Sequence, residues 1–382
     1  MNNRHLTLAA SMLVTFVLGS VHAYSVFIAP LEQLLLLPRS EVSLIYSLAL
    51  ATLTLAVLLG YRVYPLLAPA RLILITCLTA AAGLALAASA SDWWLLCIGY
   101  SLVFGFSNGI GYGYCLQLVG RVMPETKGFA MGAVTAAYAV GSVAFAKIIA
   151  WRIAVAGVDS ALQTIAAALL VCGFAAALML RIAGASYGDS APPEARRGIR
   201  GSEIALFWIA YMTSVFAGLM AIGHAAGIAL SRNATLELST LGAVTTGIGS
   251  ALGGFASGWL IARFSAGRLL IGLPLLSAAA LLAMALSREA LSVVALLSLV
   301  GFSYGSVIAV YPVAISDRFG ARGPQAYGRV FTAWGFAGLA GPWSAGWIFD
   351  WRGGYEPAML AAAGVAVLSA LLAARLRLKQ IA

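Results

Sequence analysis

Residues 5–31, HLTLAASMLVTFVLGSVHAYSVFIAPL, contain no aspartate, glutamate, lysine or arginine. An α-helix rises about 1.5 Å per residue, so about 20 apolar residues cross the roughly 30 Å hydrocarbon core of a bilayer. The stretch is long enough for such a helix. It also exceeds the apolar run of about 7–15 residues that is typical of a cleaved signal peptide. We therefore predict a first transmembrane span that is not removed.

The same pattern recurs along the chain, where twelve uncharged intervals of 18–28 residues separate the charged groups. Only 9% of the 382 residues are charged and 62% are hydrophobic, whereas a soluble domain has about 25% charged residues. Strands of a membrane barrel would be about 10 residues long with alternating polarity. The composition excludes ordinary soluble enzymes, nucleic-acid-binding proteins and disordered proteins. It predicts an all-α integral membrane protein with twelve transmembrane helices.

The net charge of +10 is distributed unevenly between the predicted loops. With a cytoplasmic N-terminus, 17 of the 23 Lys and Arg residues lie on the cytoplasmic side and 6 on the other. Cytoplasmic loops of membrane proteins are enriched in Lys and Arg. We therefore expect both termini in the cytoplasm and a multi-pass protein of the inner (plasma) membrane. The positive charge then reports topology, and no nucleic-acid partner is expected.

The chain divides into two similar halves. Residues 184–201 have the composition of a cytoplasmic linker, which predicts six-helix bundles over residues 1–183 and 202–382. SLVFGFSNG (101–109) and SLVGFSYG (298–305) share the motif GFSxG, and His22 and His224 lie at matching places in the first helix of each half. Pseudo-symmetric six-helix repeats are typical of secondary transporters of the major facilitator type.

Three longer stretches carry a resemblance to a known family. They are LGSVHAYSVFIAPLEQ with RSEVSLIYSLAL (18–33 and 39–50), FWIAYMTSVFAGLMAIGHAAGIA (207–229) and YGRVFTAWGFAGLAGPWSAGWIFD (327–350). Together they resemble the oxalate/formate antiporter family of the major facilitator superfamily, a neighbour of the monocarboxylate transporters. The resemblance implies a membrane carrier that works by alternating access, often on small carboxylates.

One departure from that family bears on the substrate. In members that carry oxalate, a buried arginine on span 8 and a buried lysine on span 11 hold the dianion. In this chain the arginine position falls near Gly254 and the lysine position at Trp334, and neither position is basic. We therefore expect a monocarboxylate-like anion rather than oxalate.

The candidate substrate-binding residues are polar or aromatic groups near the middle of the spans. His22 and His224 could bind an anion or a proton, because histidine is the side chain that ordinarily changes charge near neutral pH. The alternative is a neutral histidine hydrogen-bonded between helices. The aromatic and amide candidates could line a pocket, hold helices together or pack in the core. The full set is His22, Tyr24, Asn108, Tyr112, Tyr138, His224, Tyr304, Tyr311 and Trp334.

Lys147, near the end of span 5, is a candidate for attracting anions. Its alternative is a lysine whose ammonium group reaches back to the interface. The four cysteines, Cys77, Cys97, Cys115 and Cys172, fall within spans and lack CxxC spacing, so no disulfide or metal site is expected. We find no catalytic motif and expect no enzyme activity, no cofactor and no obligatory protein partner.

Three functions remain open from the sequence. The first is a secondary active or facilitative transporter of a small organic solute, by preference a monocarboxylate-like anion. The second is an exporter of drugs or uncharged metabolites on the same fold. The third, a transporter-like sensor, is disfavoured because the sequence shows only short tails.

Overall fold

The computed structural model describes residues 3–187 and 201–376, and every regular element within these ranges is helical. The helices are α1 (Asn3–Leu18), α2 (Ile28–Leu35), α3 (Arg39–Val63), α4 (Pro69–Ala88), α5 (Trp93–Leu96), α6 (Gly105–Val122), α7 (Lys127–Ile182), α8 (Gly201–Leu230), α9 (Leu236–Phe264), α10 (Ala266–Leu286), α11 (Ala290–Phe319), α12 (Gly323–Arg352) and α13 (Glu356–Arg375). Most of the predicted linker, residues 188–200, lies outside the described residues.

Among the described residues, nine helical runs are long and apolar enough to cross a membrane. The sequence predicts twelve spans, and the difference has two physical sources. α7 is a single run of 56 residues that contains predicted spans 5 and 6, with non-helical backbone at Gly157. α9 and α12 correspond to predicted spans 8 and 11, and their many Gly, Ser and Thr residues lower their mean hydropathy.

Two of the membrane-spanning runs change helix type part of the way along. A 3₁₀ segment, Gly19–Val26, follows α1, and a π-helical segment, Cys97–Phe104, precedes α6. Runs of 3₁₀ helix longer than three or four residues are uncommon, and mid-helix 3₁₀ and π segments often occur at functional positions. Tyr24 and Tyr100 join the two segments, because their buried rings lie 5.1 Å apart.

The chain forms two compact units. Unit 1 comprises residues 1–36 and 48–196, and unit 2 comprises residues 37–47 and 197–382. In unit 1, α7 packs against both α1 and α4. The α1–α7 contact is close, because a Cβ added at Gly141 would lie 1.8 Å from the carbonyl oxygen of Phe16. Small residues let membrane helices approach in this way.

Unit 2 has a core of apolar side chains from α8, α10, α11 and α13. The first turns of α3 belong to this unit, and Asp350 at the end of α12 holds their start. Its carboxylate accepts hydrogen bonds from the backbone N–H groups of Arg39 (2.9 Å) and Ser40 (2.8 Å). A carboxylate satisfies unpaired N–H groups at a helix start and complements the helix dipole.

Candidate functional site

The polar centre of unit 1 is a hydrogen-bonded pair from α6 and α7. Asn108 is fully buried and its Oδ1 accepts a hydrogen bond from the Tyr138 hydroxyl, 3.1 Å away. The Asn108 Nδ2 donates to the backbone carbonyl of Leu18 at 2.7 Å. Burying an amide is costly unless its donors and acceptors are paired. These bonds therefore tie α1, α6 and α7 together at one point.

His22 and Tyr112 border this pair. His22 is half-buried in the 3₁₀ segment, and its ring meets the Tyr138 ring edge to face with 5.5 Å between centroids. Tyr112, also half-buried, lies 4.8 Å from the Tyr138 ring. The structure thus brings four predicted residues of unit 1 together around Tyr138. Tyr24 lies apart from them, fully buried against Phe27 and Tyr100.

Unit 2 contains a second hydrogen-bonded pair, from α11 and α12. The indole N–H of Trp334 donates to the Tyr304 hydroxyl at 2.9 Å, and both residues are buried. Phe331 stacks near the Trp334 ring, with 5.9 Å between centroids and 4° between planes. The Tyr304 ring fills the space at Gly218, where an added Cβ would lie 2.5 Å from it. The structure thus places two of the predicted substrate-binding residues, Tyr304 and Trp334, in direct contact. Their role toward a solute stays a prediction.

The two pairs occupy equivalent positions in the repeat. Thirty residues separate Asn108 from Tyr138 and thirty separate Tyr304 from Trp334. Asn108 and Tyr304 each occupy the fourth position of the shared GFSxG motif, and the glycine that follows makes the same kind of contact in each unit. A Cβ at Gly109 would lie 2.2 Å from the Leu53 carbonyl oxygen, and one at Gly305 would lie 1.9 Å from that of Ser250. A glycine next to the first residue of each pair thus lets two helices approach closely.

His224 has a different environment from His22. It is fully buried in α8, with Nε2 2.7 Å from the Pro342 carbonyl oxygen and Nδ1 2.8 Å from the Tyr355 hydroxyl. A carbonyl oxygen only accepts, so Nε2 carries the proton and Nδ1 accepts from Tyr355. Arg39 donates to the same hydroxyl at 3.2 Å. Both ring nitrogens of His224 are therefore occupied by protein groups, as in a structural histidine.

Tyr311 is fully buried in α11, with its ring 4.4 Å from that of Tyr211. The Tyr311 hydroxyl lies beside those of Ser214 and Ser369. Tyr311 therefore belongs to a cluster of buried hydroxyl groups and not to the Tyr304–Trp334 pair.

Among the described residues, the most enclosed charged side chain of an ion pair is that of Arg232, which is 10% exposed and pairs with Glu356. The buried polar residues in the described part of the chain are Ser, Thr, Asn and His. Lys147 has an exposed side chain on α7. At Gly254, near which the resemblance places a cation, an added Cβ would lie 3.9 Å from the Gly305 carbonyl oxygen, an ordinary van der Waals contact. Within residues 3–187 and 201–376 no group of three or more His, Cys, Asp or Glu could hold a metal ion.

Sequence reasoning missed Tyr355, which orients His224 in unit 2. Tyr355 precedes α13, outside the predicted spans, and its local sequence carries no motif. The available signal was Gly227, one turn after His224, where an added Cβ would lie 2.5 Å from the Tyr355 hydroxyl oxygen. A contact across 131 residues cannot be read from such a signal alone.

Solved structures of membrane transporters share the helical fold of this chain. A bacterial homologue of the human lysosomal transporter Spinster superposes with a TM-score of 0.73 at 14% identity, covering 100% of this chain and 99% of that one. A mutant of the nucleoside transporter NupG also gives 0.73 at 14% identity, covering 98% and 100%.

A curated relative extends the similarity to sequence. The chain is 25% identical over 355 residues to an uncharacterized MFS-type transporter, YhjX, of Escherichia coli (strain K12), covering 88% of this chain and 86% of the relative. No family model matches the chain.

Proposed function

We propose that this protein is a secondary transporter that moves a monocarboxylate-like anion across a membrane. The proposed mechanism is alternating access, which the resemblance to the oxalate/formate antiporter family implies. The observation that carries the proposal is the His22–Tyr112–Tyr138 cluster, in which the half-buried His22 ring and Tyr112 side chain border the buried Asn108–Tyr138 pair. An imidazole N–H and a hydroxyl at such a place can solvate one negative charge. A second charge would need a cation, because an uncompensated ion at membrane depth is costly.

The test is uptake of labelled monocarboxylates, with oxalate in parallel, into liposomes that contain the purified protein. We expect saturable monocarboxylate uptake and no oxalate uptake. His22→Ala should lower kcat/KM by roughly tenfold, which corresponds to the loss of about 1.4 kcal/mol of transition-state stabilisation. His5→Ala is the matched control, because His5 is an exposed histidine at the start of α1.

A second candidate function is export of an uncharged metabolite. It is favoured by the absence of buried Lys or Arg among the described residues and by the occupied indole N–H of Trp334. Saturable transport of uncharged solutes, with no monocarboxylate uptake above protein-free liposomes, would establish this alternative and reject the first.

We also propose the finer topology: twelve spans in two six-helix bundles, residues 1–183 and 202–382, with both termini in the cytoplasm of an inner-membrane protein. The 17-to-6 distribution of Lys and Arg supports it. Fusions of alkaline phosphatase and of a fluorescent protein after residue 382 distinguish the orientations. We expect the fluorescent-protein fusion to be fluorescent and the alkaline phosphatase fusion to be inactive. An active phosphatase fusion would contradict the proposed orientation.

A further inference from the structure

We propose that Asn108 is a positioning residue, which holds the change of helix type in the first span and thereby sets where His22 points. The inference deepens the proposed function and rests on it for the role of His22 toward the solute. Asn108 itself would not contact the solute, because its amide is fully buried and bonded on both sides, to Leu18 and Tyr138.

The bond from Asn108 reaches the carbonyl at which the helix changes. Leu18 is the last residue of α1, and the 3₁₀ segment starts at Gly19. In a continued α-helix the Leu18 carbonyl would accept from the N–H of His22, four residues on. The Asn108 amide gives this buried carbonyl another partner, 2.7 Å away. It therefore lowers the cost of leaving the α-helical pattern immediately before His22.

A second contact fixes the same point from α7. A Cβ added at Gly19 would lie 2.0 Å from the Tyr138 carbonyl oxygen, so the two backbones touch there. The Tyr138 hydroxyl orients the Asn108 amide, and its ring contacts His22. Asn108 thus contacts the start of the 3₁₀ segment, and Tyr138 contacts both its start and its half-buried His22 side chain.

Unit 2 provides an internal comparison. The residue equivalent to Asn108 is Tyr304, whose ring packs at Gly218 and whose hydroxyl accepts from Trp334. The first helix of that unit, α8, is α-helical from Gly201 to Leu230, and its histidine, His224, is fully buried. The amide and the change of helix type occur together in unit 1. The aromatic residue and the regular helix occur together in unit 2.

The geometry gives the size of the effect. A 3₁₀ helix turns about 120° per residue and an α-helix about 100°. Over the four residues from Leu18 to His22 the difference is about 80°. If α1 continued as an α-helix, His22 would therefore move about a quarter of the way around the helix, away from the position beside Tyr138.

The direct test replaces His22 with cysteine and measures its rate of reaction with a small charged thiol reagent in the detergent-purified protein. The parent chain, with its four native cysteines, gives the background. His22→Cys combined with Asn108→Leu should react at a rate that differs roughly tenfold from that of His22→Cys alone, because the side chain turns by about 80°. Tyr138→Phe should give a smaller change in the same direction. Tyr304→Phe, which alters the equivalent pair of unit 2, should give none.

Transport distinguishes positioning from direct binding. Asn108→Leu should change KM and kcat for a monocarboxylate as His22→Ala does, and the double variant should be no worse than either single variant. An unchanged labelling rate in both the Asn108→Leu and the Tyr138→Phe backgrounds would overturn the inference. If labelling changes while no variant and no parent protein transports a monocarboxylate, positioning stands and the proposed function fails. If Asn108→Leu does not fold, the labelling rate in the Tyr138→Phe background alone decides the test.

Discussion

Tyr355→Phe should destabilise unit 2, because the Tyr355 hydroxyl connects the buried His224 to Arg39. The hydroxyl donates to His224 Nδ1 at 2.8 Å and accepts from Arg39 at 3.2 Å. Phenylalanine keeps the ring and its contact with Phe349, 4.8 Å away. The substitution therefore removes two hydrogen bonds and leaves a fully buried ring nitrogen without a donor.

The expected loss follows from these contacts. A hydrogen bond between membrane helices averages about 0.6 kcal/mol, so two bonds set a lower figure of about 1 kcal/mol. A buried acceptor left open costs about 1–3 kcal/mol. We expect a loss of about 2 kcal/mol in the free energy of unfolding. For a unit of this size, a change of that order lowers Tm by about 4–8 °C.

Intrinsic tryptophan fluorescence during heating is the suitable assay, because six of the nine tryptophans lie in unit 2. Tyr311→Phe is the matched control. It makes the same change at another fully buried tyrosine of unit 2, whose hydroxyl lies beside those of Ser214 and Ser369 rather than beside a ring nitrogen and a guanidinium. Equal Tm values for Tyr355→Phe and the parent protein, or an equal fall in both variants, would refute the reasoning.

Three further substitutions test separate contacts. Gly141→Ala should abolish the folded protein in membranes, because its Cβ would lie 1.8 Å from the Phe16 carbonyl oxygen. The control is Gly132→Ala on the same helix, whose Cβ meets nothing within 4 Å. The control should express normally and give the folded protein peak in size-exclusion chromatography. Asp350→Asn should lower Tm by roughly 1–4 °C, because it removes the charge that caps α3; an unchanged Tm would contradict that role. Lys147→Ala should change the transport rate by less than about twofold, as an exposed lysine would, and a larger loss would support anion attraction.

The sequence predicts the membrane-spanning character well, because a scarcity of charge acts over whole helices. The GFSxG repeat also locates Asn108 and Tyr304 at equivalent motif positions, and the structure places each beside a partner thirty residues on. The sequence does not predict the different environments of His22 and His224. Those depend on Leu18 and Tyr138 in one unit and on contacts more than a hundred residues away in the other.

The change of helix type at Gly19 was also beyond sequence reasoning. Periodicity reveals helix geometry only when polar and apolar faces alternate, and residues 5–31 are apolar almost all round. The choice between α and 3₁₀ is instead made by one amide from α6 and one carbonyl from α7. Both are tertiary contacts, which override local propensity.

Residues 37–47 lie in the first half of the sequence but belong to unit 2, and this limits how the protein can be divided. A fragment that starts at residue 202 would hold the Asp350 carboxylate without the N–H groups it caps, and the Phe349 ring without the Arg39 guanidinium that lies 3.8 Å above it. If the chain were cut between residues 188 and 200, the C-terminal fragment would lack a part of its own unit, and the N-terminal fragment would carry that part. A transplanted second half would need those eleven residues supplied with it, as a peptide or by circular permutation.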